Sequence, residues 1–492
     1  MNWTKVSGRK IRKGVFVGGL LAFLAMGSAQ AQIPVQDSMV WIASTKYEDP
    51  APLRWLLLGG NYRKEWETPV KLPVFHMTQM GLTIKELGGG QQTISLQLTD
   101  SKGRGWSLRS VDKEVSKAIP PSLRNTPVQG LVQDLVSGAH PYIPLIIPTL
   151  SKAAGVIAPV PTIYFVPDDP AFGEYRSLFA NTLCLLEERE PTPDHSSTKN
   201  TEKVLDKLFE KWGNRIDQQA VLKARLLDMY IGDWDRHSDQ WRWGTKSSAN
   251  GDLYYPIPRD RDQAFFYSDG LLVKFIQLIA MRHLVSFDDD LSKIKSLNYK
   301  MWPFDGLFMN ELDRGSWEKA LKELEAAFTD DVIHQAMLHL PAEIYALRGE
   351  RLEKKLRERR SELVRQGLRY YHLIAGRVKV YGTNMPDFFQ VSPSDSGIRL
   401  TVYDYASGKK GRKVYERLLD AEDTFAIELY GLKGADHFVV DEGVNTKIKL
   451  FFNGEDGADV YDIRGGSKNT IIDAASENNT ILNKSATKLQ LH

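Results

Sequence analysis

The sequence predicts an α+β protein that ends in a small all-β domain. Three observations carry that prediction. Between residues 70 and 190, short runs that alternate apolar and polar side chains surround one helical stretch. From 204 to 375 the apolar residues recur at helical spacing. After about Gly376, alternating runs return, separated by Gly, Asp and Asn. A polar stretch rich in Pro, Ser and Thr, 191–203, reads as a linker. The expected organisation is therefore 32–190, a linker at 191–203, a helical part at 204–375 and a β domain at 376–492.

Residues 1–31 form the pattern of a cleavable export leader. Lys5, Arg9, Lys10, Arg12 and Lys13 are basic with no acid among them, Val15–Met26 is apolar, and Ala29-Gln30-Ala31 offers small residues at the cleavage positions. The apolar run is short for a bilayer span, so cleavage after Ala31 is expected rather than retention as an anchor. No later segment is apolar over the roughly 18 residues a membrane helix needs. The expected location is outside the cytoplasm: periplasmic, associated with the outer membrane, or secreted.

The individual elements follow in order. Val70–Phe75, Thr93–Thr99 and Arg104–Val111 read as strands, the last two joined by a turn at Asp100-Ser101-Lys102-Gly103. Gln129–Gly155 is helical but interrupted by Pro141, Pro144 and Pro148. Thr162–Val166 and Leu183–Glu188 read as further strands. Leu205–Trp212, Ala220–Ile231, Trp317–Phe328, Asp331–Leu338 and Pro341–Ile374 read as helices. Within the last, Arg348–Arg365 interleaves Glu with Lys and Arg, as a solvated helix face does. Val378–Tyr381, Ile398–Tyr405, Phe425–Tyr430, His437–Val440 and Lys447–Phe452 are strands of the last domain. There, Gly431 to Phe438 and Gly454 to Tyr461 echo one another at an offset of about 23 residues, which suggests stacked β units, solenoid-like or a sandwich.

Composition excludes some classes of function. The chain has 64 Lys and Arg against 62 Asp and Glu, and loss of the five basic leader residues leaves 59 against 62. A nucleic-acid partner would call for a basic excess. The lone cysteine, Cys184, sits in an apolar run and reads as a buried small hydrophobe rather than a reactive thiol. His195 and His237 lack zinc-site spacing.

Two acidic loops carry the chemistry. Asp228 to Trp243 contains Asp233, Asp235, Arg236, His237, Asp239 and Gln240 at the end of a predicted helix. About twenty residues on, Arg259-Asp260-Arg261-Asp262 follows Tyr254–Pro258. Carboxylates this dense, mixed with arginine, suit a divalent cation and a phosphate-bearing ligand. Gly88-Gly89-Gly90 could present backbone N–H groups to phosphate, or simply make a tight turn. The alternative reading of the loops is structural, with Asp235 paired to Arg236 and Asp260 to Arg259. Trp241 and Trp243 are expected in the core.

Ile231-Gly232-Asp233-Trp234-Asp235-Arg236-His237, with Asp260-Arg261-Asp262 and Phe265 after it, resembles the catalytic and metal loops of atypical kinases of the phosphoinositide-kinase, HipA-type and secretory-pathway branches. The resemblance spans roughly residues 80–290 and implies a two-lobed kinase-like domain. It implies Asp235 as base, His237 as loop brace, Asp260 as principal metal ligand with Gln240 and Asp262 beside it, and Mg²⁺ or Mn²⁺ as the metal. Gly88, Gly89, Gly90, Arg109, Lys113 and Arg236 are the candidate phosphate-binding groups, for a nucleotide or a phosphorylated small molecule. The chain departs from the pattern in three ways, the first being Gln240, a poorer metal ligand than the asparagine often found there. Arg109 stands where a lysine is expected, and no glutamate occupies the helix that should pair with it, leaving Asp134 and His140 as candidates.

A second resemblance rests on Asn61–Trp66, Gly88–Thr93, Arg109–Lys113 and Pro256–Phe265. These runs are similar to a region of large Gram-negative envelope proteins, some of which join it to a metallophosphoesterase and a surface-antigen barrel; this chain carries neither motif. Envelope proteins are the implied partners. Two function classes stay open: a phosphotransferase-like enzyme, and an inactive binding or assembly module. In the β domain, Asp436, Asp456 and Asp459 resemble degenerate calcium-binding repeats, with metal-free structural turns as the alternative.

Overall fold

A computed structural model describes residues 38–48, 51–88, 94–115, 121–279, 281–466, 468–473 and 478–491. The expected leader and the turn glycines Gly89 and Gly90 lie outside these residues. The chain is α+β with an all-β C-terminal region.

The N-terminal extension supplies β1 (Ser38–Trp41), α1 (Pro52–Leu58), α2 (Arg63–Glu67) and β2 (Val70–Pro73), with β1 and β2 antiparallel. Five strands follow: β3 (Thr83–Gly88), β4 (Ser95–Thr99), β5 (Gly105–Ser110), β6 (Thr162–Val166) and β7 (Thr182–Glu188). They form an antiparallel sheet in the order β3-β4-β5-β7-β6. Asp100 closes the β4–β5 turn by accepting the N–H groups of Lys102 and Arg104, each at 2.9 Å. Between β5 and β6 lie α3 (Pro127–Leu135) and α4 (Ile147–Ala153); α5 (Arg176–Phe179) precedes β7. Pro144 and Pro148 break the expected long helix into short turns, each standing at the start of a new one. Cys184 is buried in β7, and burial pushes its thiol up to about 12, as an inert core residue requires.

The helical half comprises β8 (Lys199–Asn200), α6 (Thr201–Glu210), β9 (Arg215–Ile216), α7 (Gln218–Tyr230), the hairpin β10 (Trp241–Ser248) and β11 (Gly251–Pro258), α8 (Leu271–Ile279), α9 (Ile294–Leu297), α10 (Trp302–Phe308), α11 (Arg314–Ala327), α12 (Asp330–Met337) and α13 (Ala342–Ala375). The linker is shorter than expected. Lys199 and Asn200 pair with β10, and the Asn200 side chain caps α6 by accepting the Lys203 N–H. The hairpin β10–β11 is not among the expected elements; Trp241 and Trp243, fully buried, stack against Phe304 and Phe308 of α10 and hold it there. The charge-dense stretch of α13 is not entirely solvated either. Arg359 is buried and donates to the carbonyls of Met229, Tyr230, Asp288 and Asp290 at 2.7–3.0 Å. It thereby satisfies the open C-terminal end of α7, where the first acidic loop begins.

The last domain resolves into a solenoid-like stack. Strands β12 (Arg377–Tyr381), β16 (Ala426–Lys433), β18 (Lys449–Asp456), β20 (Asn469–Asp473) and β22 (Thr487–Leu491) form one parallel sheet. The other contains β13 (Asp387–Ser394), β14 (Gly397–Asp404) and β15 (Lys413–Leu419) as an antiparallel meander. It continues with β17 (His437–Val440), β19 (Val460–Ile463) and β21 (Thr480–Lys484), parallel to β13. A polar ladder links the coils. Asp436 Oδ1 accepts the Asp387 N–H at 2.7 Å, Asp459 Oδ1 the Asp436 N–H at 2.8 Å, and Asn479 Oδ1 the Asp459 N–H at 2.8 Å. The two echoed units are thus the middle of four rungs. Gly457, at φ +150°, lies so close to the Gly434 carbonyl that no side chain fits between the coils.

The ladder sets a pH dependence. Burial, with Asp387 and Asp459 nearby, raises Asp436 to about 9, while burial raises Asp387 to about 6. Between the ordinary carboxylate value of 3.8 and about 9, the folded state keeps a proton that the unfolded state releases. Stability therefore falls as pH rises through that window, by at most ~1.4 kcal/mol per pH unit for one group. Asp436→Asn keeps the acceptor oxygen and removes the titration. Its melting temperature should vary less between pH 5 and 8 than that of the parent; equal slopes would rule out the ladder as the source.

Candidate functional site

The crease between the five-stranded sheet and the helical half brings most of the predicted residues together. On β5, Arg109 lies opposite Ser95 of β4, which lies opposite Gly88 of β3. Residues directly opposite in an antiparallel sheet share a face, with strands ~4.8 Å apart. Gly88 is therefore two strands from Arg109 on the same face, along with Ser107 and Glu187. That face meets the loop that follows β11.

Arg109 Nη1 donates to Asp260 Oδ1 at 2.5 Å, and Arg109 Nη2 lies 3.3 Å from Glu187 Oε1. Lys113 Nζ lies 2.8 Å from Asp262 Oδ2. Enclosure would raise the Asp260 pKa, but Arg109 and Lys113 hold it below the usual carboxylate range. Asp262 is raised, by burial first and then by the neighbouring Asp260 charge. Burial would lower the Lys113 pKa, but Asp262, Asp260 and Asp235 offset it and keep the ammonium charged. Asp260 also sits at φ +58°, an unusual conformation for a residue with a side chain and one that recurs at functional sites.

The first loop, 231–240, is held from behind. Asp228, at the end of α7, is buried and meets three guanidinium groups: Arg225 at 3.0 Å, Arg236 at 3.2 Å and Arg261 at 2.8 Å. Arg236 also donates to the Arg259 carbonyl at 2.6 Å, and the Gln240 carbonyl accepts the Arg259 N–H at 2.9 Å. The two acidic loops are thus fastened to each other through backbone groups. Asp233 is buried, and its pKa rises to about 8, burial being the main cause. Asp235 remains 27 % exposed and pairs with Lys300 at 3.2 Å.

Several expected roles change. Arg236 cannot meet a ligand as it stands, because it is only 2 % exposed and committed to Asp228 and the neighbouring loop. It braces the loop, the role expected of His237, whose ring is 43 % exposed and 3.8 Å from Asp239. The neighbour pairs Asp235–Arg236 and Asp260–Arg259 do not form; Arg259 points to Glu187 at 3.9 Å. Asp134 is taken by Arg63, at 2.6 and 3.1 Å. His140 packs on Tyr62, and burial lowers its pKa to about 3. The glutamate near Arg109 is Glu187, on a strand rather than a helix, with Asp260 the closer carboxylate. The only hint of it in the sequence is an acidic pair ending the apolar run of β7.

The Asn61–Trp66 motif is a buried clasp. Tyr62 donates to the Phe265 carbonyl at 2.7 Å, Trp66 to the Ala139 carbonyl at 2.9 Å, and Glu65 pairs with Arg348 at 2.6 Å. It ties the extension to the second acidic loop and to α13.

Asp260 and Asp262 are the carboxylates of the crease that could hold a hard divalent cation shared with a ligand. Asp260, Asp262 and the buried Gln240 offer oxygens, and Gln240 Oε1 has no hydrogen-bond partner among the described residues. Among those residues no group of three acidic, His or Cys side chains could hold a metal unaided; Mg²⁺ commonly uses one or two carboxylates together with phosphate oxygens. In the C-terminal region, Asp436 and Asp459 each place Oδ1 on a ladder N–H group while Asp456 is exposed. Beside Arg109 are cavities of about 30 and 20 Å³, lined respectively by Pro144, Ile147 and Glu187 and by Trp66, His140 and Leu185. Each has room for about one or two waters.

No protein-family model matches the chain, and no curated protein does. Among solved structures it is similar to the proinflammatory kinase CtkA of Helicobacter pylori, at 10 % identity and a TM-score of 0.32, over 60 % of this chain and 99 % of that one. It is also similar to the Rio2 kinase of Chaetomium thermophilum, in its ADP/Mg²⁺-phosphoaspartate complex, at 12 % identity and a TM-score of 0.22, over 55 % of this chain and 80 % of that one.

Proposed function

We propose that this chain is an exported, kinase-like protein of the bacterial envelope whose interlobe crease binds a phosphate-bearing ligand, a nucleotide or a phosphorylated small molecule, together with Mg²⁺ or Mn²⁺. The observation that carries the proposal is the meeting of Arg109 and Lys113 with Asp260 and Asp262 across the crease. Each half of that set has a natural exchange partner. Phosphate oxygens suit the guanidinium and the ammonium, and a divalent cation suits the two carboxylates, with Gln240 as a further candidate oxygen donor. Bound there, the cation would supply charge neutralisation for the phosphate. Asp235, the accessible carboxylate of the first loop, is the candidate base for an acceptor hydroxyl. The leader pattern supports export.

A second reading, an inactive binding or assembly module, is favoured by the closed state of the crease. Its cavities are far smaller than the ~300 Å³ of a typical ligand pocket. Ligand entry would require the sheet and the helical half to part and the four charges to exchange partners.

A thermal-shift titration of residues 32–492 with ATP, GTP and ADP, each with and without Mg²⁺ or Mn²⁺, tests the proposal. A ligand raises the melting temperature only by favouring the folded state, and a hundredfold excess over Kd adds ~2.7 kcal/mol. The expected result is a metal-dependent rise with at least one nucleotide. Phosphoryl transfer abolished by Asp235→Asn would identify the enzyme. Binding with no transfer to any acceptor would favour the inactive module, and the absence of any shift in a cooperatively melting protein would overturn the nucleotide reading.

A further inference from the structure

Helices α1 and α8, more than two hundred residues apart in the chain, pack side by side. The Gly60 N–H donates to Asp269 Oδ1 at 2.9 Å, and a Cβ on Gly270 would meet the Leu57 carbonyl oxygen at 2.6 Å. Only a glycine allows that approach. Each helix buries little: Leu58 on α1 and Val273 on α8 turn inward. Eight large apolar side chains on the pair remain 41–74 % exposed, among them Leu53, Trp55, Leu56, Phe275, Leu278 and Ile279. Scattered exposed leucines need no explanation, but a contiguous face of this kind marks a surface that something covers.

The charges around the face indicate what covers it. Neither helix contains an acidic residue, while α8 carries the exposed Lys274 and the exposed Arg282 follows closely; Arg54 of α1 is exposed too but lies 3.6 Å from Asp134, and the exposed Glu48 precedes α1. Asp269, the acid between the two helices, is turned onto Gly60. A second copy docked through the same face would set cations against cations. A bilayer with anionic headgroups offers an apolar interior and negative charge in the same layers, matching both features, and Trp55 is of the residue type that favours the headgroup level. Among the described residues no helix is long and apolar enough to cross a membrane, so contact would be at the surface.

We propose that α1 and α8 together form an interfacial face that lays the protein on an anionic lipid bilayer. This does not depend on the kinase-like reading. Because α8 follows the Asp260–Asp262 loop after eight intervening residues, the crease would work close to the membrane.

Vesicle co-sedimentation tests the proposal, using residues 32–492 so that the leader adds no affinity of its own. The protein should pellet with phosphatidylglycerol-containing vesicles at low salt, and far less with pure phosphatidylcholine. Phe275→Glu with Leu278→Glu should weaken binding at least tenfold. Lys274→Glu with Arg282→Glu, which spares every apolar contact, should weaken it several-fold and remove the salt sensitivity. All four positions are exposed, so the variants should melt as the parent does. Equal pelleting of parent and both variants would overturn the proposal, as would no pelleting with either vesicle. A dimer in light scattering that the Phe275→Glu, Leu278→Glu variant dissociates would instead assign the face to a second copy.

Discussion

Replacing Asp228 with alanine is expected to destabilise the protein by ~3–5 kcal/mol, the range for breaking a buried ion pair from one side. The reason is the number of charges that depend on this carboxylate. Arg225, Arg236 and Arg261 all point at it from within 3.2 Å, in a site that is 1 % exposed. Arg225 has a second partner in Asp305, at 2.7 Å, which Tyr370 also engages. Arg236 and Arg261 lean more heavily on Asp228, since Asp233 stands 3.7 Å from Arg236 and burial raises its pKa to about 8. Alanine would leave two guanidinium groups buried without a close counter-charge. Both lie in the acidic loops, so these should loosen along with the fold. Asp228→Asn, which keeps one acceptor, should lose less. Burial raises the Asp228 pKa, but the three arginines more than reverse this and hold it below the ordinary value. The stabilisation is therefore present above the unfolded carboxylate's pKa of ~3.9 and is lost as pH falls through the depressed folded value. Denaturant unfolding at pH 7 checks the magnitude, and a loss under ~1 kcal/mol would mean that Asp228 is not the hub.

Asp260→Asn is expected to separate metal binding from phosphate binding. The amide keeps the size of the carboxylate and suits the left-handed backbone at φ +58°, which Asn tolerates. It removes the charge that a divalent cation needs and that Arg109 now engages. The metal-dependent part of any nucleotide-induced stabilisation should vanish, with divalent affinity falling by more than tenfold. Metal-independent affinity for phosphate or ADP should rise several-fold, because the guanidinium no longer has a carboxylate at 2.5 Å to leave. The opposite signs of the two effects distinguish this account from simple damage to the site, which would weaken both. A metal-dependent shift that survives in Asp260→Asn would remove Asp260 from the site.

The parts of this molecule that were legible in the sequence are those set by local pattern. Strands β4 to β7 of the five-stranded sheet, the helices α6, α7, α11, α12 and α13 and the buried Trp241 and Trp243 follow from periodicity and residue type, whereas β3 and α8 to α10 are not among the expected elements. The two acidic loops are legible because their carboxylates are close in sequence. What binds them is not: Arg109 and Asp260 are 151 residues apart, and nothing local marks Glu187 as the third member. Arg359 hides in a run of charges of which Glu350, Arg351, Lys354 and Arg365 face solvent, while it is aimed at the end of α7. In the last domain only two rungs of the ladder share the Gly-Ala-Asp signature. Asp387 is separated from its neighbour by the inserted hairpin β14–β15, and the fourth rung replaces aspartate with Asn479. The apolar face of α1 and α8 arises because residues 52–58 and 271–279 are brought together by the fold, and neither segment spans a membrane by itself.

The central claim is that the crease exchanges its internal ion pairs for a phosphate ligand and a divalent cation. The most direct test is a crystal of residues 32–492 grown with Mn²⁺ and a non-hydrolysable nucleotide, examined at the manganese edge. The account predicts one anomalous peak at the Asp260 and Asp262 carboxylates, with Arg109 turned from Asp260 to phosphate. Nucleotide and manganese absent from the crease, or bound elsewhere while Arg109 still holds Asp260, would contradict it.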